Sequence, residues 1–166
     1  MPKALVLYSA GPGAIEQVAK EICAGAAQTG LDTALSSAGA APALAEYDLV
    51  FAGSGVYGLG GFDKRVVELL AKADWQGKRA CIFATHAGRG KTHVEAVAGE
   101  LGKKGAKVAG TISIQLQGLG ALIGRGKPTE TDLVRAYAFG ERQAYDLLGR
   151  RPAKEQEKRR IKGYRK

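Results

Sequence analysis

At 166 residues, 45% hydrophobic and 25% charged, the chain is long enough to bury one core and too apolar for a disordered tract. Its apolar runs are strand-sized, which excludes a membrane-spanning helix, and its 24 glycines follow no three-residue period, which excludes a collagen-like rod. The net charge of +9 sits mostly at one end: from Arg150 onward nine Lys or Arg face two Glu, so residues 1–149 carry only +2.

Strands and helices alternate along the chain, a pattern that predicts an α/β domain over residues 1–148 and a basic, flexible tail over 149–166. Lys3–Tyr8 is an apolar strand, Ser9–Gly13 a tight glycine-containing loop, and Ala14–Thr29 an amphipathic helix stopped by Gly30. A second strand covers Leu31–Ser36, and an Ala/Gly/Pro stretch leads to a short helix ending near Tyr47. Asp48–Gly53 is a continuous apolar run, as expected of a strand buried on both faces. The glycine-rich loop Ser54–Gly61 follows, then a helix from Phe62 to Ala73 with Trp75 packing behind it. Arg79–Thr85 is the fourth strand, His86–Lys91 a loop and Thr92–Lys103 a helix. Lys107–Gln115 is the fifth strand. After a long connection, Thr129 and Asp132 form a capping-box signature ahead of a helix whose inner face carries Leu133, Ala136, Tyr137, Gly140, Ala144 and Leu147.

In an open parallel sheet, ligands bind beyond the carboxyl ends of the strands. In the strand order 2-1-3-4-5 the loops Ser9–Gly13, Ser54–Gly61 and His86–Lys91 converge on one rim. The first of them opens a helix whose N-terminal N–H groups and dipole favour an anion, and glycines let the backbone approach it.

Other chemistries fit poorly. Gly88-Arg-Gly-Lys-Thr92 lacks the first glycine of a P-loop at the required offset, and G-x-S-x-G is absent. His86 and His93 have no Cys or Asp nearby to complete a metal set. Cys23 and Cys81 belong to no C-x-x-C pair and read as buried reduced thiols. With no signal-peptide pattern, a cytoplasmic address is expected.

The segments Leu5-Val-Leu-Tyr-Ser9, Glu46-Tyr-Asp-Leu-Val-Phe-Ala-Gly-Ser-Gly-Val-Tyr57, Gly77-Lys-Arg-Ala-Cys-Ile-Phe-Ala-Thr85 and Gly126-Lys-Pro-Thr-Glu-Thr-Asp-Leu133 occur in the order and at the spacing of the flavodoxin-like family, which the chain resembles over Lys3 to Leu148. The resemblance implies a three-layer, doubly wound α/β domain with five parallel strands. It implies non-covalent binding of flavin mononucleotide (FMN), and electron transfer or flavin-dependent reduction with a redox partner protein or a small-molecule acceptor. Carried over, Ser9, Gly11, Gly13 and Ala14 form the phosphate loop, Ser54, Val56 and Tyr57 one side of the ring site, and Thr85, His86 and Gly88 the other.

The phosphate loop departs from the family's hydroxyl-rich pattern. Gly11 and Ala14 stand where threonines are expected, and Pro12 has no N–H to donate. Each lost charge-assisted hydrogen bond is worth about 1.5–3 kcal/mol, so two cost roughly two to four decades of affinity unless compensated. Arg89 or Lys91 are the cations in a position to compensate. The thinned loop motivates a second reading, an interaction module of the same fold that has lost its cofactor. The basic tail suits an acidic partner or nucleic acid.

Overall fold

A computed structural model describes residues 1–11, 13–57, 60–88, 90–118, 120–121 and 125–150. Pro12, Arg89 and the basic segment beyond Arg150 lie outside the described residues.

Five parallel strands form one sheet: β1 (Lys3–Tyr8), β2 (Asp32–Ser37), β3 (Leu49–Val56), β4 (Arg79–His86) and β5 (Lys107–Gln115), in the order β2-β1-β3-β4-β5. Among the described residues four α-helices cover it: α1 (Ala14–Gln28), α2 (Lys64–Lys72), α3 (Gly90–Lys103) and α4 (Glu130–Leu148). The expected five-stranded, three-layer architecture and its strand order are therefore present.

Alternation of side chains along the buried strands gives each sheet face its own core. Val6, Phe51 and Phe83 meet Ile15, Val18 and Ile22 of α1 and Ala136 and Ala144 of α4. Leu5, Val50 and Ile82 meet Val66 and Leu70 of α2 and Val94 and Leu101 of α3. Trp75 is buried in this second core, and its indole N–H donates to the Leu70 carbonyl at 2.8 Å, satisfying the one polar atom it brings inside. Helices α1 and α4 pack backbone to backbone: a Cβ on Gly25 would strike the Tyr137 carbonyl, and one on Gly140 the Ile22 carbonyl.

Three local expectations need correction. The helix expected before Tyr47 is a 3-10 turn, Leu44–Glu46, with a second such turn at Ala38–Ala40. The third strand runs three residues past Gly53, because Ser54, Gly55 and Val56 pair with Ala84, Thr85 and His86. Its glycines belong to the sheet and leave room for rings: the Phe83 ring fills the place of a Gly53 Cβ, and the Tyr57 ring that of a Gly55 Cβ. His86 likewise ends β4 and does not open the loop.

Candidate functional site

The rim above β1 and β3 is built from the chain's first turn. The Ser9 N–H donates to the Gly53 carbonyl at 3.0 Å, and the Ser9 hydroxyl oxygen accepts the Gly55 N–H at 3.2 Å. These bonds tie the exit of β1 to the end of β3 and leave the hydroxyl proton of Ser9 to donate. Gly11 then turns with φ of +144°, and Gly13 enters α1 with no side chain capping the helix. The first N–H groups of an α-helix have no acceptor within the helix, so this start is an uncapped, electropositive corner.

A cavity of about 250 Å³ adjoins it, lined by Ser9, Ala10, Gly11, Ile15, Gly55, Tyr57, Gly61 and Asp63. No Lys or Arg lines it among the described residues. Tyr57 folds back over Gly55, and its hydroxyl lies 3.1 Å from Thr85 Oγ1, so the ring bridges the ends of β3 and β4.

The ten residues singled out from the sequence divide by position. Ser9, Gly11 and Tyr57 line the cavity; Gly13 and Ala14 form the helix start beside it, with Ala14 buried. Thr85 is fully buried beneath Tyr57. Ser54 is also fully buried: its hydroxyl donates to the Gly55 carbonyl at 2.8 Å and accepts the Asp63 N–H at 2.9 Å. Val56 sits in the apolar core. These two act from beneath, by fixing β3 and the start of α2. His86 leaves the first cavity and lines a second, of about 510 Å³, with Lys91. Its ring lies against Gly90, where a Cβ would collide with it. Burial pushes the His86 imidazole below its ordinary value, and the Gly88 backbone opposes that shift. Gly88 is exposed.

Sequence reasoning missed Asp63. Its carboxylate accepts the N–H groups of Arg65 (2.9 Å) and Val66 (3.3 Å), capping α2 at the cavity's edge. The signal was present, since an Asp directly before a helical run is an N-cap signature. The described residues contain no group of His, Cys, Asp and Glu able to hold a metal ion, and no described helix is long and apolar enough to cross a membrane.

These features meet the needs of a phosphate-bearing cofactor. The corner offers uncapped N–H groups, a hydroxyl and two glycines whose missing side chains would meet nothing within 4 Å. Beside it an aromatic ring is held in place by a hydrogen bond.

No family model matches the chain, and no curated protein matches it. Solved structures do. Oxidised flavodoxin 1 from Bacillus cereus superposes with a TM-score of 0.67 at 18% identity, covering 83% of this chain and 94% of that one. A flavodoxin from the domain Archaea gives 0.68 at 20% identity, covering 88% and 99%. The flavodiiron protein from Giardia intestinalis gives 0.72 at 19% identity, covering 89% of this chain but 36% of its own. With the strand order and the placement of the helices, these likenesses identify the chain as a protein of the flavodoxin-like fold.

Proposed function

We propose that the chain binds FMN at this rim and serves electron transfer or flavin-dependent reduction. The observation that carries the reading is the uncapped start of α1 opening on the cavity that Ser9, Gly11 and Tyr57 line. The backbone N–H groups of Gly13, Ala14 and Ile15 hold the phosphate, with the Ser9 hydroxyl as fourth donor. Tyr57 presents its ring to the isoalloxazine, held by Thr85 and seated on Gly55. Ser54 and Val56 support that wall from within. When bound, the flavin supplies the one- or two-electron chemistry, so no residue of the chain is needed as acid or base.

The corner's electrostatics predict modest affinity. Among the described residues no cation lines it, Lys91 lies in the other cavity, and the Asp63 carboxylate stands at the edge. The backbone and the helix dipole carry the phosphate charge.

A second reading, an interaction module without cofactor, draws support from the same wall. The Tyr57–Thr85 bond closes the space over Gly55, and about 250 Å³ falls just short of the ~300–1,000 Å³ usual for enclosed ligand sites. One experiment separates the two. Purified protein is scanned in the visible range and titrated with FMN, following quenching of flavin fluorescence. Yellow protein or saturable quenching at micromolar FMN supports the flavin reading; colourless protein without quenching leaves the interaction module.

A further inference from the structure

The end of β4 separates two cavities. Thr85 closes against Tyr57 at the first; His86, the next residue, lines the second, beside β5. At about 510 Å³ the second cavity is the roomier, within the ~300–1,000 Å³ typical of small-molecule sites. Polar side chains from four elements converge on it: His86 of β4, Lys91 of α3, Ser113 and Gln115 of β5, and Arg135 of α4. Ser113 and Gln115 are two apart and so lie on one face of the strand.

The charge balance there favours an anion. Lys91 and Arg135 face one carboxylate, Asp132, which is already engaged. Its Oδ2 accepts the Thr129 N–H at 2.9 Å, and its Oδ1 lies 3.6 Å from one guanidinium nitrogen of Arg135. That pair is half exposed on the arginine side and weak. It leaves most of the five guanidinium donors for another acceptor.

His86 adds a polar ring to the cavity wall. The residue is only 6% exposed, and its Nδ1 is buried without a hydrogen-bond partner among the described residues. Nδ1 has no contact with solvent and the Gly88 backbone is the group beside the ring, so it is the rest of the imidazole that lines the cavity.

We propose that this second cavity binds a small organic anion. Arg135 and Lys91 take its carboxylate or phosphate, while Ser113, Gln115 and His86 hydrogen-bond its polar body. The site uses neither the α1 corner nor the flavin, so it stands whether or not FMN binds.

The test is a heteronuclear NMR titration of the full chain at constant ionic strength, with citrate in one arm and inorganic phosphate in the other. The readouts are the Gln115 side-chain amide, the His86 imidazole nitrogens and, at the α1 corner, the Gly13 and Ala14 amides. Saturable shifts at Gln115 and His86 are expected, weakened about tenfold or more in Arg135→Gln and in Lys91→Gln. Both substituted side chains are exposed, so the variants keep the fold. Saturation by citrate assigns the carboxylate class, and saturation by phosphate alone the phosphate class. Shifts confined to Gly13 and Ala14, no shifts or shifts that never saturate, or parent-like affinity in both variants would overturn the proposal.

Discussion

Replacing Gly13 by Asp sets stability against anion binding. Gly13 has φ of −61° and ψ of −13°, a right-handed helical backbone open to any L-residue, and a Cβ there would meet nothing within 4 Å. The substitution stabilises the fold in two ways. Removing glycine's freedom in the unfolded chain contributes about 0.4–1 kcal/mol, and a negative charge at a helix N-terminus adds about 0.3–1 kcal/mol. The sum, about 1–2 kcal/mol, raises Tm by roughly 2–8 °C in a chain of this size. The same carboxylate stands where the flavin phosphate is proposed to sit. A phosphate monoester carries about −1.5 to −2 charges at neutral pH, and two like charges 4 Å apart repel by about 1 kcal/mol even at the dielectric constant of water. FMN affinity should therefore fall by about 2 kcal/mol or more, roughly 30-fold. Gly13→Asn, of the same shape without the charge, is the control and should keep most of the binding. Thermal melts and flavin-fluorescence titrations on the three proteins read both effects. If Gly13→Asp binds FMN as tightly as the parent, the phosphate does not sit at α1. If it melts lower than the parent, the start of α1 is not the open, uncapped corner described above.

One substitution type should act with opposite signs at two helical glycines. Gly140→Ala drives a Cβ into the Ile22 carbonyl, a backbone atom that cannot rotate away, and overpacking of this kind costs about 1–3 kcal/mol. Gly99→Ala in α3 meets open space and gains up to about 1 kcal/mol of helix propensity. Denaturant midpoints that move the same way for both variants would contradict the backbone-to-backbone packing of α1 on α4. Stability should also depend on pH through His86. Burial lowers its folded-state pKa below 6.5, so on acidification the unfolded chain takes up the proton first. The contribution is complete above pH ~6.5 and is lost as pH falls through the folded-state value. Between pH 8 and 5 the parent should lose stability more steeply than His86→Gln, and parallel profiles would show that the imidazole is not held neutral by the fold.

The sequence signals that proved reliable are those with a local physical cause. β1 and β5 fall where expected: the Ser9–Gly13 turn closes the first, and Gly105, with its positive φ, sets the second apart from the helix before it. The start of α4 was legible in Thr129 and Asp132, whose reciprocal bonds of 2.9 and 3.1 Å are the capping box itself. The end of β3 was not, because glycine signals a loop unless one knows which ring lies over it, and the Phe83 and Tyr57 rings approach through tertiary packing. The second cavity was invisible for a similar reason. Ser113, Gln115 and Arg135 read as ordinary polar positions on an edge strand and a helix, and only the fold brings them beside His86.

Gly55 joins the two halves of the proposed flavin site. Its N–H donates to Ser9 Oγ, which fixes the exit of β1 and with it the loop that carries Gly11 and Gly13 to the start of α1. Its missing side chain seats the Tyr57 ring, whose hydroxyl then reaches Thr85 across the β3–β4 pair. The phosphate corner and the aromatic wall therefore share one backbone position near the end of β3, paired with Thr85 of β4 on one side and bonded to the Ser9 hydroxyl on the other. A site so placed is held in shape before any ligand arrives, which limits the ordering cost of binding. The hydroxyls missing from the first loop and the rigidity of its anchor work in opposite directions. Affinity for FMN depends on how far that preorganisation offsets the lost hydrogen bonds.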